Sequence, residues 1–430
     1  MKRNSNKGRR VVVTGMGAVT PVGHTVDQTW ESLKAGRCGI DTLSIFDAST
    51  FETRIGGEVR GFKFDERPLP GGLADVLDRK NGLGVAAARQ AMADAGLEGG
   101  GAQIDASRFG VSLGTEGRRD RLLPELRQRK LLPVSLEERR QALRTVPPDE
   151  YLRYSPYGLA YILSGLWGAR GPIMTISTAC TSSSQALGFA FHKIRGGEAD
   201  VMLAGGAESL MEPTMVASFI LLGALSKRND EPATASRPFD LTRDGFVLAE
   251  GGAMLVLEDA WHAYRRGARI YGEIAGFGCS INAYRITDSP PDGEGPYLAM
   301  RAALEDAALG PEDVDYINAH GTSTQQNDAS ETAAIKRCLG NRAREVPVSS
   351  TKSMTGHMVN AAGAIEAIIS LLAIRDGFVP PTINYRTPDP ACDLDCVPNE
   401  GRRQTVRTVL SNSFGFGGSN GTLVLRAYVA

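Results

Sequence analysis

The sequence predicts an α/β fold made of two similar halves, and two observations support this prediction. Short runs of β-branched residues alternate with Ala-rich helical segments, a pattern typical of α/β proteins. The segment AMADAGL at 91–97 also recurs as ALEDAAL at 303–309. Each copy precedes a strand and then a Ser/Thr-rich turn that opens an Ala/Gly-rich helix. This indicates an internal repeat, with two halves related by a pseudo-twofold axis.

The individual elements follow from local patterning. β-branched runs predict strands, while Ala-rich runs that end at glycine predict helices. The predicted strands are Val11–Thr14, Phe109–Leu113, Ile173–Ser177, Val201–Leu203 and Val314–Asn318. The predicted helices are Val85–Ala95 and Ser183–Arg195.

The boundary between the halves is placed at the glycines near 267–276. We therefore expect a first half over 9–266 and a second over 267–430. A segment at about 117–154 breaks the repeat, because it is rich in Arg, Glu and Leu and contains two adjacent prolines. It is interpreted as a helical excursion, either a lid or interface element or a solvated charged helix.

Composition and charge exclude several classes of protein. The chain has 48 Lys and Arg against 49 Asp and Glu, so a generally basic nucleic-acid binder is not expected. It has no run of about 18 apolar residues, so no membrane helix is predicted. The first residues do not resemble a secretory signal, and six cysteines suit a reduced compartment. We therefore expect a cytoplasmic protein with no nucleic-acid or membrane partner.

Cys180 is the best candidate nucleophile. It lies in ISTACTSSS at 176–184, where a strand ends, a turn follows and a helix begins. The positive end of a helix dipole and its free N–H groups favour a thiolate. Taken alone, a cysteine in such a turn is more often structural, and the histidines change this balance. Cys392 and Cys396 lie close together in the sequence, but they are only a weak indication of a zinc site, since no second Cys or His pair lies nearby.

Two of the five histidines lie in settings that suit a site. His320 follows a predicted strand and precedes Gly-Thr-Ser-Thr, and His357 follows STKSMTG at a turn that opens a helix. Both positions lie beyond strand ends, where α/β proteins bind ligands. The Gly-rich loop at 411–420 can present backbone N–H groups to an oxyanion. The pair Gly15 and Gly17 lacks the third glycine of a dinucleotide-binding motif, so that fold is rejected.

Together these segments resemble the β-ketoacyl-[acyl-carrier-protein] synthases, specifically the type II elongation enzymes. The resemblance extends from residue 11 almost to the C-terminus. The motifs that carry it, in order, are VVVTGMGAVTPVG, ACTSS, DVMLAGGAES, SRPFD–RDGFVLAEG, NAHGTST, SSTKSMTGH and SNSFGFGG. The resemblance implies the thiolase fold, two α-β-α-β-α halves, usually in a homodimer, although a heterodimer stays open.

The resemblance also implies roles for individual residues. Cys180 matches the acyl-accepting nucleophile, and His320 and His357 match the catalytic histidines. Lys352 matches a supporting lysine, with Glu331 as its expected partner. Asp328 matches a supporting acid, Thr322 and Thr324 match threonines that contact the carrier's phosphopantetheine arm, and Phe246 and Phe414 match residues that contact the substrate. Phe416 matches the gating phenylalanine, whose N–H would form an oxyanion hole with that of Cys180. The residues that match positions near a structural cation are Asn318, Glu366, Ser411 and Asn412.

The implied reaction is a decarboxylative Claisen condensation. Malonyl carried on acyl carrier protein would condense with an acyl group on Cys180, with no catalytic metal and no further cofactor. Carrier proteins are acidic, so a basic docking patch is expected. Arg79-Lys80 and Lys227-Arg228 are candidates for this patch, and the alternative for each pair is ordinary solvated surface charge.

The sequence departs from the family pattern at two places. GTST continues as Gln325-Gln326-Asn327-Asp328, without the usual proline. Gly114–Gly117 replaces a stretch that normally lines the acyl pocket, and Glu116 is a poor lining for an alkyl chain because an unpaired buried carboxylate costs several kcal/mol.

These departures leave alternatives open. A polyketide or secondary-metabolite ketosynthase fits the same motifs, as does a non-catalytic partner of the chain-length-factor kind. A coenzyme A thiolase is disfavoured, because its second turn would supply a cysteine where His357 stands.

Overall fold

The computed structural model describes residues 8–64, 77–99, 104–117 and 155–430, together with the single residues 69, 135, 137, 141 and 144. The excursion predicted at about 117–154 therefore lies almost entirely outside the described residues. The helices are α1 (Val26–Lys34), α2 (Arg79–Asp94), α3 (Gly158–Trp167), α4 (Ser182–Arg195), α5 (Pro213–Leu221), α6 (Ala260–Arg265), α7 (Glu294–Ala307), α8 (Gln325–Leu339), α9 (Lys352–Thr355) and α10 (Ala362–Asp376).

The strands of the described residues alternate with these helices as the sequence predicts. They are β1 (Val11–Val19), β2 (Asp41–Thr42), β3 (Ile55–Gly56), β4 (Phe109–Gly114), β5 (Ile173–Ile176), β6 (Val201–Glu208), β7 (Gly251–Asp259), β8 (Gly272–Ile281), β9 (Tyr316–Asn318), β10 (Val348–Ser349), β11 (Phe378–Val379), β12 (Arg402–Arg403), β13 (Thr408–Phe414) and β14 (Ser419–Arg426).

Ten of these strands form one sheet in which the two halves of the chain contribute five strands each, in mirrored order. The order is β10-β9-β13-β14-β8-β1-β7-β6-β4-β5, so each strand of the first five has a counterpart in the second five. In each half the three outermost strands are parallel, namely β5, β4 and β6 in the first half and β10, β9 and β13 in the second. The third of these pairs antiparallel with the next strand, β7 or β14. Strands β1 and β8 pair antiparallel at the centre. The two similar halves predicted from the repeat are thus present in the strand order.

The helices complete five layers. Helices α4 and α10 pack on each other and lie between the two halves of the sheet. Helices α2 and α3 cover the outer face of the first half, and α7 and α8 cover that of the second. Nearly every residue of α10 is buried, because this helix has sheet on both sides. Among the described residues, none of these helices is both long and apolar enough to cross a membrane.

Glycines on the two central strands explain how the outer helices approach so closely. A Cβ built at Gly17 would lie 2.0 Å from a backbone oxygen of α2, and one at Gly278 would lie 2.2 Å from a backbone oxygen of α7. The Gly-Met-Gly run that resembles a phosphate-binding motif is therefore a helix-packing surface.

The structure lengthens several predicted elements. Helix α2 begins at Arg79 rather than at Val85, because the Asp78 side chain accepts the N–H of Asn81 and caps an earlier turn. Strand β6 continues to Glu208, which brings the end of the strand to the site. The domain bounds 9–266 and 267–430 stay a prediction.

Candidate active site

Cys180 lies in a 3₁₀ turn, Ala179–Thr181, between β5 and α4. Ala179 begins this turn with a φ of +51°, a left-handed conformation that a non-glycine residue rarely adopts. The turn directs the Cys180 Sγ at the Nε2 of His357, 3.0 Å away. The side chain is only 7% exposed, so the sulfur is reached through the cavity described below.

His357 is held by its own backbone. Its N–H donates to the carbonyl of Val247 at 2.8 Å, and its carbonyl accepts the N–H of Ala249 at 3.0 Å. Gly356, with φ of +71°, allows the chain to turn into this bridge after α9. The motif RDGFVLAEG, which contains residues 247–249, therefore serves to position this histidine.

The cysteine and the two histidines converge in one place. The Sγ of Cys180 and one ring nitrogen of each of His320 and His357 lie within 4.8 Å of one another. The two imidazole rings stand nearly perpendicular, with centroids 5.3 Å apart. The sequence prediction that these three residues share a site agrees with this geometry.

Burial controls the protonation of all three groups. It lowers the pKa of His320 and of His357 well below the usual value, and the nearby ammonium of Lys352 acts in the same direction. Both rings are therefore neutral at ordinary pH. Burial raises the pKa of the Cys180 thiol to about 12, although Lys352 and the N–H of Phe416 oppose this shift. The expectation that the helix N-terminus yields a thiolate is thus wrong for the resting site, which holds a thiol.

Lys352 has a different partner from the one predicted. Its ammonium forms an ion pair with Glu366 rather than with Glu331, and both side chains are buried. The pairing follows from the fold, because Lys352 begins α9 and Glu366 lies on the adjacent α10. Burial raises the pKa of Glu366 to about 7, and the charge of Lys352 opposes the rise.

Glu331 instead holds the loop that carries His320. Its two carboxylate oxygens accept the backbone N–H groups of His320 at 2.9 Å and of Gly321 at 2.8 Å. Asp328, one turn earlier on α8, accepts the N–H of Phe239 at 2.9 Å and lies 3.5 Å from the guanidinium of Arg243. Both acids thus act on backbone positions around the GTST segment.

The Gly-rich loop lies against the turn that carries Cys180. A Cβ built at Gly415 would lie 3.2 Å from the backbone nitrogen of Cys180, so a larger residue here would crowd this N–H. The N–H of Phe416 is close enough to the Cys180 sulfur to lower its pKa. Gly417 donates to the carbonyl of Ile286 at 2.6 Å, which ties the loop to the opposite wall of the cavity.

A cavity of about 400 Å³ opens onto these groups. Its walls include the predicted substrate contacts, since Thr322 and Thr324 lie on it with their hydroxyl oxygens 3.0 Å apart. The ring of Phe246 packs against His357 at 5.4 Å, and that of Phe414 against His320 at 5.7 Å. The remaining lining residues are Cys180, Leu222, Gly223, Ala224, Asp244, Gly245, Ile286, Thr287, Asp288, Ser289, Gln325, Gln326, Asn327, Gly415 and Phe416.

The four residues matched to a cation site are buried and partly unpartnered. Asn318 and Ser411 face each other across β9 and β13, and neither side chain has a hydrogen-bond partner among the described residues. One oxygen of Glu366 is also unpartnered, whereas Asn412 donates to Glu331 and accepts from Thr422. Oxygen ligands with unsatisfied acceptors suit a hard cation. Asn318, Ser411 and Glu366 therefore fit such an ion better than Asn412 does.

The candidate basic patches differ from expectation. Lys80 is buried and donates to the carbonyl of Glu116, and Arg79 is paired with the buried Glu250, so Arg79-Lys80 is not a docking surface. Lys227 is exposed but paired with Glu52. Glu116 is itself exposed and does not line the cavity.

Sequence reasoning missed three residues behind the nucleophile. The hydroxyl of Ser182 donates to the Oδ1 of Asn360 at 2.6 Å, and the amide of Asn360 donates to Glu208. All three are buried. Superposing the internal repeat on itself could have found Asn360, because it stands in the second half where Cys180 stands in the first.

Two family models match most of this chain. The family model of the β-ketoacyl synthase N-terminal domain matches residues 8–263, and that of the C-terminal domain matches residues 271–386. The chain belongs to the β-ketoacyl synthase family. It is therefore an acyltransferase of the condensing type. The thiolase-like fold expected from the motifs is confirmed as well, by the sheet described above and by the solved structures that follow.

Its relatives include 3-oxoacyl-[acyl-carrier-protein] synthases and polyketide enzymes. A 3-oxoacyl-[acyl-carrier-protein] synthase 2 of Coxiella burnetii is 45% identical, over 97% of this chain and 98% of that protein. The tetracenomycin polyketide synthase ketoacyl synthase alpha subunit of Streptomyces glaucescens is 43% identical, over 99% and 98%. A ketosynthase solved with its type II polyketide acyl-carrier protein, AntDE:AntF, has a TM-score of 0.87 and 39% identity, over 98% of this chain and 100% of that one.

Proposed function

We propose that this β-ketoacyl synthase joins malonyl carried on acyl carrier protein to an acyl group on Cys180, with loss of CO₂, to give β-ketoacyl-carrier. The observation that supports this most directly is the convergence of the Cys180 thiol with two neutral histidines in one cavity. A nucleophile and two hydrogen-bond donors are what acyl transfer and enolate formation require. The same constellation argues against a non-catalytic partner subunit.

The first step transfers the acyl group. The Cys180 sulfur attacks the thioester carbonyl of the acyl-carrier, and its proton passes to the Nε2 of His357, 3.0 Å away. The N–H groups of Cys180 and Phe416 hold the oxyanion, since Gly415 leaves the space open. The bond from the acyl carbon to the carrier sulfur then breaks. His357 returns the proton to the leaving thiolate, so the carrier departs as a thiol.

The second step forms the new carbon–carbon bond. Malonyl-carrier loses CO₂, and the electron pair of the broken bond forms an enolate whose oxygen accepts hydrogen bonds from His320 and His357. Neither ring has its Nδ1 held by a partner among the described residues, so neither is fixed as the Nδ1–H tautomer. His357 accepts at Nε2 during acyl transfer, and for this step its proton moves from Nδ1 to Nε2 by exchange with water, so that each neutral ring presents Nε2–H. The enolate carbon attacks the acyl thioester. Cys180 leaves as a thiolate and takes up one proton, which closes the balance.

The carrier's phosphopantetheine arm would contact the threonine pair at 322 and 324, which lies on the cavity wall. No further cofactor enters this scheme, and the Lys352–Glu366 ion pair serves to hold the histidine side of the site. The scheme retains the homodimer predicted from the sequence. In support, the edge strand β5 has β4 as its sole partner among the described residues and leaves Ile173 exposed by 40%, whereas the opposite edge strand β10 is buried.

The decisive test replaces the nucleophile. Cys180→Ala should abolish both acyl labelling by acyl-carrier and condensation, measured by intact-protein mass spectrometry and product release. Cys279→Ala, at an exposed cysteine outside the cavity, is the matched control and should label normally. Persistent acylation of the Cys180→Ala protein would refute the assignment.

A polyketide ketosynthase is the second candidate, because the polyketide relatives reach 44% identity against 45% for the 3-oxoacyl-[acyl-carrier-protein] synthases. An elongation assay with a panel of acyl-carrier primers separates the two. Preferred extension of saturated alkyl primers supports fatty-acid elongation, and preferred extension of poly-β-keto primers supports the polyketide role.

A further inference from the structure

A buried hydrogen-bonded chain crosses from the second half of the molecule to the turn that carries the nucleophile. The hydroxyl of Ser182 donates to the Oδ1 of Asn360 at 2.6 Å, and the Nδ2 of Asn360 donates to a carboxylate oxygen of Glu208. The same Ser182 hydroxyl accepts the N–H of Thr178 at 2.9 Å and lies 2.6 Å from the carbonyl of Ala179, so its single proton is shared between Ala179 and Asn360. Thr178 and Ser182 flank the turn on its two sides, so this chain closes a clamp around Cys180.

The clamp acts on a strained segment. Ala179 holds a φ of +51° next to Cys180, and such conformations persist only where surrounding contacts enforce them. Asn360 lies in a second 3₁₀ turn, Val359–Ala361, whose first residue also has a positive φ, of +40°. Its side chain and those of Ser182 and Glu208 are at most 1% exposed. If Asn360 is shortened, the Ser182 hydroxyl keeps its contacts with Thr178 and Ala179 inside the turn, but the turn loses its tie to the second half of the molecule.

We propose that Asn360 is a positioning residue for acyl transfer, acting through Ser182 to hold the Cys180 sulfur and N–H in their working geometry. This rests on the proposed function, since it concerns the same nucleophile. The effect should be confined to the cysteine, because the backbone of His357 is held separately by Val247 and Ala249. Asn360 therefore controls the acylation half of the reaction and leaves the decarboxylation half unaffected.

The test compares the two half-reactions. In Asn360→Ala we expect the rate of Cys180 acylation by an acyl thioester to fall about tenfold, as does the rate of alkylation by iodoacetamide. Release of CO₂ from malonyl-carrier should stay near the wild-type rate. Ser112→Ala is the control, because it removes a buried hydroxyl that bonds α4 at Ala186, away from the turn. An equal fall in both half-reactions would show a general structural defect and overturn the proposal.

Two further variants keep the proposal falsifiable. If Asn360 acts only through Ser182, Ser182→Ala/Asn360→Ala should lose no more activity than Ser182→Ala alone, rather than the product of the two single losses. Asn360→Asp alone places a second carboxylate against that of Glu208 and should slow acylation. In Asn360→Asp/Glu208→Gln the amide donor lies at 208 and the carboxylate acceptor at 360, so the bond is remade and acylation should be restored. Additive losses, or no restoration, would refute the clamp. Failure of the proposed function would appear differently, as wild-type protein that never acylates Cys180.

Discussion

The two halves of the molecule share one strand order and differ in their connections at the site. In the first half, two residues (177–178) separate the end of β5 from the 3₁₀ turn before α4. In the second half, nine residues (350–358) separate the end of β10 from the corresponding turn before α10. This longer connection contains both Lys352 and His357. The short connection presents a nucleophile at the helix start, and the long one adds a lysine and an imidazole opposite it.

The connections between the next two antiparallel strands also differ in length, but here the longer one belongs to the first half. Residues 209–250 join β6 to β7 in the first half, whereas only 415–418 join β13 to β14 in the second. The long connection supplies Phe246 and the backbone that fixes His357, and the short one supplies Gly415 and Phe416. The repeated scaffold thus provides packing, and the unequal connections provide chemistry. The active site is single because each half lacks what the other contributes.

Apart from loss of the nucleophile itself, the largest effects should come from the histidines of the second half. His320→Ala and His357→Ala each remove a donor to the enolate, and we expect CO₂ release from malonyl-carrier to fall about 10²–10³-fold. Only His357→Ala should also slow acylation, because His357 alone lies 3.0 Å from the Cys180 sulfur. Single-turnover mass spectrometry and CO₂ release measure the two steps.

The exposed His24 gives a control variant, His24→Ala, that should match wild type in both assays. His320→Asn keeps one N–H donor and should recover part of the lost rate. Equal acylation defects in the two alanine variants would contradict the division of roles between the histidines.

Much of this arrangement follows from the sequence, because the motifs at Cys180, His320 and His357 each lie at a strand end. Which acid pairs with Lys352 does not follow, since Glu331 and Glu366 stand at similar distances along the chain and only the packing of α9 on α10 decides between them. The thiol state of Cys180 was missed for a similar reason. A sequence shows the helix N-terminus but not the burial that outweighs it.

A smaller effect tests whether the short hairpin of the second half serves the turn of the first. Gly415→Val places a branched side chain where a Cβ already lies 3.2 Å from the Cys180 nitrogen. We expect acylation to slow about 10²-fold through loss of an oxyanion donor. The KM for the acyl thioester should change little.

The matched control is Gly168→Ala, at the end of α3, where nothing lies within 4 Å of the added Cβ. Its φ of +67° costs an alanine about 1–2 kcal/mol of stability, visible in thermal unfolding, with acylation unchanged. An unaltered acylation rate in Gly415→Val would show that this hairpin does not contribute to the oxyanion hole.

The smallest effect concerns the loop after β9, which a buried carboxylate holds in the second half. Burial raises the pKa of Glu331 to about 7, above the value of about 4.3 for an unfolded chain. The native state therefore binds this proton more tightly. The stability it contributes is fully present below about pH 4.3 and is lost as the pH rises towards 7. In Glu331→Gln this dependence disappears, so the stability of the variant relative to wild type should increase between pH 5 and about pH 8.

Urea unfolding across that range measures the difference in stability between variant and wild type. The control is Glu312→Gln, at an exposed acid, for which that difference should not change with pH. A relative stability of Glu331→Gln that falls with pH would mean that the backbone N–H groups of His320 and Gly321 outweigh burial at this carboxylate.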